Sequence, residues 1–291
     1  MEKRWKSDFL KTIMEKLLRY KIVGLLFWLV LPLLVMGQSE DRPLDYTLLH
    51  TLDISSPVFT TDQVRNVYTV TRQNEVVKHT PDGKVQFRYN NNTLGILSFI
   101  DATDPFNLLL FYPDFRRVIL LDRTLSETGA FDLFDLDVID VPAVGISSDN
   151  KLWIYDDIKF ILKKIDRNGD IVQESNNLSL ILGKTVSPNF ILERSNAVYI
   201  NDPAIGILVF DLFGNYTKTI DVKGLIQFQV IDQQLVYWQE GKLNVFNLKS
   251  LQTRSMDLQL PADEAQPQLV RIEKDRLYVR TGPFLKIYQI E

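Results

Sequence analysis

The chain has 291 residues, of which 45% are hydrophobic and 24% charged, an ordinary globular composition with enough length for one large domain or two small ones. Its formal charge of −4 understates its acidity, since residues 1–37 hold seven Lys/Arg against three Asp/Glu and leave 26 against 34 in the remainder. Such a field repels polyphosphates, so no nucleic-acid partner is expected. The absence of Cys excludes disulfides, thiolate metal sites and Cys nucleophiles.

The N-terminus carries a targeting signal. Residues Ile22 to Met36 are apolar and uncharged, the basic Lys16, Arg19 and Lys21 precede them, and Gly37 follows. Fifteen apolar residues are fewer than the roughly 20 that span a bilayer, and the order of the flanks is that of a secretory signal peptide. The sequence therefore predicts a signal peptide over 1–37 and an exported chain.

Two points about this leader stay open. An uncleaved anchor is the alternative to cleavage near Gly37, and only an anchor would give the chain a membrane contact. The basic segment is long, so that Met1 and Met14 both remain candidate starts. A short linker is expected over 38–45, ahead of a single domain over 46–291.

Beyond residue 45 the sequence predicts strands. Short alternating or wholly apolar runs, rich in Val, Ile, Tyr and Phe, recur between clusters of Asp, Asn, Gly and Pro. Two sets of positions repeat at intervals of roughly forty residues, each with six members. The first is always aliphatic and comprises Val67, Leu108, Leu152, Val198, Leu235 and Leu277. The second ends a following strand with a polar residue and comprises Thr80, Asp122, Asp166, Asp211, Asn247 and Gln289.

The second repeat predicts strands buried on both faces. The residues four positions before the polar one are all aliphatic, and those one position before it are mostly large and apolar. Because these positions have opposite parity, they point to opposite faces of the strand. A small sheet covered on both faces and repeated six times is typical of a β-propeller with six blades.

The sixth copy lacks its outer strand, because the chain stops at Glu291. The N-terminal run Tyr46 to Ile54 has the length and alternation to supply it, which would close the ring and remove an open sheet edge. This all-β, six-bladed arrangement over 46–291 resembles propellers of the NHL and TolB-like kind, in architecture only, since neither a YWTD motif nor a regular NHL signature occurs. The leader and the Cys-free acidic body resemble exported proteins of Gram-negative bacteria.

The stretch KKIDRNGDIV, from Lys163 to Val172, could be either a calcium loop or a hairpin corner. Asp166 belongs to the repeating polar set, and Gly169 aligns with glycines in two other copies. A recurring turn explains this repetition, whereas an EF-hand loop would require Gly at its sixth position and Glu at its twelfth. The segment is therefore predicted to be a hairpin turn. The acidic run from Asp132 to Asp140 is likewise predicted to be an outer strand and its connection.

Few residues suggest catalysis. The only histidines are His79, which falls in an otherwise apolar set, and His50, in the predicted closing strand, so a Ser/His/Asp triad or a His-rich zinc site is not expected. No cofactor is expected. Six-bladed lactonases and related hydrolases, which hold calcium in the channel with Glu, Asp and Asn, are a precedent for convergent carboxylates on this architecture, although their motifs do not align with this sequence. A calcium-dependent hydrolase or lyase therefore stays open as the alternative.

A binding role is the leading hypothesis. In propellers the loops between second and third strands and the connections between blades form one face, here called the loop face, where a rigid scaffold presents variable loops. Exposed aromatic and Arg side chains there would form a protein-binding hot spot. The candidate residues are Tyr112, Phe115, Arg116, Asp156, Asp157, Asp202, Trp238 and Arg280. Capping of strand ends is the alternative role of Tyr112 and Trp238.

These observations favour an exported, non-enzymatic propeller that binds a protein partner in the periplasm, at the outer membrane or on the cell surface. A module that senses a sugar or a peptide would share the same fold.

Overall fold

The computed structural model describes residues 45–54, 56–134, 136, 138, 140–258 and 266–291. The predicted signal peptide at 1–37, and the linker up to residue 44, lie outside the described residues, as do Asp135 and Asp137 of the acidic run.

In the described residues, twenty-four strands form six antiparallel sheets of four strands, one sheet for each blade. Blade 1 comprises β2 (Phe59–Thr61), β3 (Val67–Val70), β4 (Val76–His79) and β5 (Val85–Tyr89). Blade 2 comprises β6 (Phe99–Asp104), β7 (Asn107–Tyr112), β8 (Arg117–Leu121) and β9 (Glu127–Asp132). Blade 3 comprises β10 (Val144–Ile146), β11 (Leu152–Asp156), β12 (Ile161–Ile165) and β13 (Ile171–Glu174).

The other three blades repeat the same order. Blade 4 comprises β14 (Phe190–Arg194), β15 (Ala197–Asp202), β16 (Gly206–Phe210) and β17 (Tyr216–Ile220). Blade 5 comprises β18 (Gln229–Ile231), β19 (Gln234–Gln239), β20 (Lys242–Asn247) and β21 (Thr253–Asp257). Blade 6 comprises β22 (Leu269–Glu273), β23 (Arg276–Thr281), β24 (Phe284–Ile290) and the N-terminal strand β1 (Tyr46–Asp53). The one short α-helix of the described chain, α1 (Leu178–Leu182), connects blades 3 and 4.

The ring closes as the sequence predicts. Strand β1 pairs antiparallel with β24, from Tyr46 opposite Ile290 to Asp53 opposite Phe284. Just after β1, the amide of Ile54 donates to the carbonyl of Pro283 at 2.7 Å. The outer strand of blade 6 therefore comes from the opposite end of the domain, and β24 has a partner on both sides.

The core lies between the blades. All six members of the first aliphatic set are fully buried, and so are the six aliphatic residues that precede the polar set by four positions. The buried apolar residues form six clusters, each shared by two successive blades. Both faces of each sheet are thus covered, which is the packing that the repeat predicts and that places the first strand of each blade around a central channel.

KKIDRNGDIV is the hairpin between β12 and β13. The amide of Gly169 donates to the carbonyl of Asp166 at 3.1 Å, and Gly169 has φ +88°, where a side chain would be strained. The carboxylate of Asp166 accepts from the amides of Asn168 and Asp170 at 2.8 and 3.0 Å. Asp122 and Asp211 make the same pair of bonds in their own blades. These acids of the polar set therefore cap a recurring turn, as predicted, whereas Gln289, the sixth member, lies within β24.

A glycine at the start of β16 provides a test of backbone strain. Gly206 has φ +121°, and a Cβ there would lie 2.5 Å from the carbonyl oxygen of Ile220. We expect Gly206→Ala to lower the free energy of unfolding by about 1–3 kcal/mol. Gly129→Ala is the control, because open space surrounds that position and its change is expected to stay within about 0.5 kcal/mol. Urea denaturation checks the pair, and equal midpoints would contradict the prediction.

Candidate functional site

The central channel holds a cavity of about 380 Å³, and it is lined by the first strands of five of the six blades. Its lining includes Phe99, Phe190 and Phe228 at one end and exposed Gln63 and Lys274 at the other. The second end, here called the channel mouth, is formed by the loops between first and second strands. The cavity therefore opens on the side opposite to the loop face.

A hydrogen-bonded network crosses the channel wall near its mouth. The hydroxyl of Thr61 in blade 1 donates to Glu273 Oε1 in blade 6 at 2.7 Å and accepts from Arg271 Nε at 2.9 Å. Gln229 in blade 5 donates to the same Oε1 at 2.9 Å and accepts from the amide of Ile272 at 2.9 Å. These bonds join three blades at the edges that no strand pairing covers.

Two further carboxylates also join neighbouring blades. Asp101 in blade 2 accepts from the amide of Ile146 in blade 3 at 3.2 Å, and its other oxygen accepts from the amide of Thr103. Glu193 in blade 4 accepts from three groups of blade 3, the Ser147 hydroxyl, the Ser148 amide and the Trp153 indole.

Burial and hydrogen bonds shift the pKa values of these groups in different directions. Burial raises the pKa of Asp101 and of Glu273 and lowers the pKa of Arg271. Burial also acts to raise the pKa of Glu193, but its hydrogen bonds from Ser148, Trp153 and Ser147 outweigh burial and hold that pKa below its usual value. Glu193 is therefore an ionised blade-to-blade anchor at neutral pH.

These carboxylates are absent from the predicted site residues, although the sequence contains a signal for them. The seventh residue of each first-strand segment, counted from Ser56, Gly95 and their equivalents, is acidic in five blades and Ser in the sixth. These residues are Asp62, Asp101, Ser147, Glu193, Asp232 and Glu273. Each of these apolar strands lies at the ring centre, and five of them end on an acid. Such a pattern indicates polar groups that bond to neighbouring blades or line the channel.

On the loop face, the structure buries several of the predicted binding residues. Tyr112 is fully buried at the end of β7, and burial raises its pKa to about 12. Asp156 is 1% exposed and pairs with Lys163 at 2.7 Å, while Asp202 is 2% exposed and accepts from the amides of Ala204 and Ser187. These three side chains stabilise the loops from within and are not available for direct contact.

The other predicted residues are more accessible. Trp238 is half-buried and donates its indole N–H to the carbonyl of Pro267 at 2.9 Å. Arg280 is also half-buried, and burial lowers its pKa. Asp157 is partly exposed, with a pKa raised first by burial and then by the neighbouring Asp140 and Asp156.

Phe115 and Arg116 lie at the surface and belong to a larger apolar group. Phe115 is 55% exposed in a 3-10 turn after β7, and Ile96 and Phe134 on the flanking connections are 72% and 70% exposed. The guanidinium of Arg116 lies over the Phe134 ring, 4.8 Å from its centroid. The amide of Ile96 donates to the Asp114 carboxylate beside Phe115, at 3.4 Å. We call Ile96, Phe115, Arg116 and Phe134 the loop-face patch.

Exposed apolar side chains continue onto the next blades of this face. Ile158 follows β11, and Leu180 and Ile181 lie in α1, with exposed fractions of 58%, 84% and 44%. The side chain of Asn177 caps α1 through the amide of Leu180 and donates to the carbonyl of Lys159, which holds these two segments together.

The two histidines occupy structural positions. His79 is buried in β4, where Nε2 lies 3.0 Å from the Thr69 hydroxyl and burial lowers its pKa. His50 lies in the closing strand β1. In the part of the chain that the structure describes, no three His, Asp or Glu side chains are grouped closely enough to hold a metal ion.

Arg117 pairs with Asp132 of the acidic run at 2.6 Å, at the end of β9.

Comparison with solved structures confirms the propeller fold. A chain of the mitotic checkpoint complex aligns with a TM-score of 0.61 and 9% identity, over 87% of this chain and 95% of that one. The WD40 domain of Neurospora crassa Pan2 aligns with a TM-score of 0.56 and 13% identity, over 86% and 96%. Virginiamycin B lyase from Staphylococcus aureus aligns with a TM-score of 0.57 and 11% identity, over 85% and 100%. At these identities the likeness shows the fold alone.

No family model and no curated protein matches the sequence. Within the described residues, none of the helices has the length and apolar character needed to cross a membrane. The chain is thus an all-β, six-bladed propeller whose N-terminal strand completes its last blade.

Proposed function

We propose that this chain is an exported, non-enzymatic propeller that binds a protein partner in the cell envelope through its loop face. The loop-face patch carries this proposal. Single exposed apolar residues are common on protein surfaces, but here an Ile, two Phe and an Arg from one loop and its two flanking connections occupy one surface. Aromatic and Arg side chains are the residue types enriched at the energetic centres of interfaces.

The patch is also held in place before any partner arrives. Arg116 stacks on Phe134, and an exposed cation–π contact contributes about 0.5–1 kcal/mol. Phe115 stands on a rigid turn, because the amide of Arg116 donates to the carbonyl of Pro113 at 3.0 Å. Less conformational entropy is lost on binding when a surface is ordered in advance.

Two further points support the proposal. The predicted signal peptide supports export. In the channel, both oxygens of Asp101 accept backbone hydrogen bonds, and Glu273 Oε1 accepts two side-chain bonds, so that these carboxylates are engaged in joining blades.

Two equally exposed phenylalanines on opposite faces test whether the loop face binds the partner. Phe134 and Phe213 are each 70% exposed, Phe134 on the loop face and Phe213 in a turn on the opposite face. We expect a photo-crosslinking phenylalanine analogue at 134 to capture one envelope protein in the native cells, and the same analogue at 213 to capture none of it. Phe115→Asp and Phe134→Asp should each weaken binding to that protein by about 30-fold, whereas Phe213→Asp should not.

Crosslinking of the same protein from both positions, or no effect of either patch variant, would overturn the proposal. The alternative function, a calcium-dependent hydrolase, predicts a different result: calcium would raise the melting temperature of the chain and EDTA would lower it. Turnover of a lactone or an ester by the purified chain would favour that alternative.

A further inference from the structure

The channel cavity has two chemically different ends. At the end away from the channel mouth, Phe190 makes edge-to-face contacts with Phe99 and Phe228, with ring centroids 5.5 and 5.2 Å apart. These rings come from blades 2, 4 and 5 and meet across the channel. Towards the mouth, the lining includes Arg194 and Arg271. A ligand that fills the cavity would therefore meet aromatic edges at one end and guanidinium groups at the other.

The hydrogen-bond donors of this cavity are largely unused. Arg271 donates from Nε to Thr61, and one terminal nitrogen lies 3.8 Å from Glu273, but neither terminal nitrogen makes a hydrogen bond within the described residues. A guanidinium has five N–H donors, so four remain available. The side chain of Arg194 makes neither a hydrogen bond nor an ion pair with any residue that the structure describes, although its charge partly opposes the rise that burial causes in the pKa of Glu273.

The acceptors are mostly occupied. Both oxygens of Asp101 accept backbone amides, and Glu273 Oε1 accepts from Thr61 and Gln229. Among the carboxylate oxygens of the described lining, only Glu273 Oε2 and the exposed carboxylate of Asp232 remain without hydrogen bonds. The cavity thus presents more free donors than free acceptors, which favours a ligand rich in acceptors.

The guanidinium of Arg271 is fixed in position. Its side chain is 11% exposed, and Thr61 holds it by accepting from Nε while donating to Glu273. A planar guanidinium held in this way matches the two oxygens of a carboxylate. A doubly charged phosphate fits less well, because Asp101, Asp232 and Glu273 lie in the same lining and would repel the second charge.

We propose that the channel binds a small carboxylate that carries an aromatic ring. The carboxylate lies on Arg271 and Arg194, and the ring packs edge-to-face against Phe99, Phe190 and Phe228. A volume of about 380 Å³ lies within the usual range for small-molecule sites. This site opens opposite to the loop face, so it is independent of the proposed partner surface.

The direct test uses phenylacetate, 3-phenylpropionate and N-acetylphenylalanine, each paired with its neutral amide. Nuclear magnetic resonance of the Arg Nε–Hε groups reports the contact, and calorimetry gives the affinity. We expect at least one acid to shift the Arg271 signal and to bind at least about tenfold more tightly than its amide, since one charge-assisted hydrogen bond distinguishes them. No shift by any acid up to about 10 mM, or equal binding of acid and amide, would overturn the proposal.

Variants locate the site. Arg194→Gln keeps the Thr61 network intact and should weaken the acid about tenfold while leaving the amide unchanged. Phe190→Leu should weaken acid and amide alike, because both carry the ring. Arg167→Gln, in the exposed β12–β13 turn, is the control and should change neither. An unchanged affinity in Arg194→Gln, or an equal loss in Arg167→Gln, would show that the acid binds elsewhere.

Discussion

Replacing Asp156 by alanine is expected to lower the free energy of unfolding by about 3–5 kcal/mol, the largest effect of any single substitution considered for this chain. Asp156 and Lys163 are 1% and 2% exposed, and their charged groups lie 2.7 Å apart. Removal of the carboxylate leaves a buried ammonium without its counter-charge. The amides of Ile158 and Lys159, which donate to the same carboxylate, also lose their acceptor.

The adjacent acid is a matched control. Asp157 is partly exposed, and its buried Oδ1 accepts no hydrogen bond in the described structure, so Asp157→Ala is expected to change stability by less than about 0.5 kcal/mol. The double variant Asp156→Leu with Lys163→Met should recover part of the loss, because apolar residues can replace the buried pair, although the amides of Ile158 and Lys159 stay without their acceptor. Urea denaturation measures all three, and a loss below about 1 kcal/mol in Asp156→Ala would contradict the prediction.

The same pair makes stability depend on pH in a defined direction. Burial acts to raise the pKa of Asp156, but the bonds from Lys163 and the two amides outweigh it and hold the pKa below its usual value. For an acid whose pKa is depressed by folding, the stabilisation is present above the unfolded pKa of about 3.9 and is lost as pH falls through the folded pKa. The stability advantage of the native pair over Asp156→Ala should therefore shrink below about pH 4.

Removal of the closing strand is expected to abolish cooperative unfolding of the propeller. A chain that starts at Ser56 lacks β1 and leaves the edge of β24 open, which is a template for aggregation. It also loses Ile54, which is 4% exposed in the cluster between blades 6 and 1. We expect the loss to reach about 5 kcal/mol, comparable with the whole stability of many domains.

A chain that starts at Pro43 retains β1 and is the control. Differential scanning calorimetry and size-exclusion chromatography should show one sharp transition and a monodisperse peak for the control, and a broad transition with aggregates for the truncated chain. Addition of a synthetic peptide that covers 45–54 should restore part of the transition. The same melting temperature for both chains would show that β24 does not need its outer partner.

The burial of Asp156 and Asp202 could not be predicted from the sequence, in which both are candidate binding residues. Each residue ends the second strand of its blade, next to a polar loop where acids are usually exposed. Only the path of the following loop, whose amides donate to the carboxylate, buries it. Phe134 was not predicted as part of the binding surface, because its contact with Arg116 joins two segments of the chain that are eighteen residues apart. The channel network joins residues that are still further apart along the chain, since Thr61 and Glu273 are separated by 212 residues.

The sequence by itself determined the number of blades, the closing strand and the recurring turns. Each of these depends on short-range patterns: aliphatic residues at the two buried faces of a strand, and an acid and a glycine at a hairpin. Only the tertiary structure decided which side chains meet, in the channel around Arg271 and on the loop face around Phe115. Ring closure sets the channel contacts, because it brings residues from separate blades within hydrogen-bonding distance regardless of their spacing along the chain. On the loop face, the pairing of β8 with β9 brings Arg116 next to Phe134.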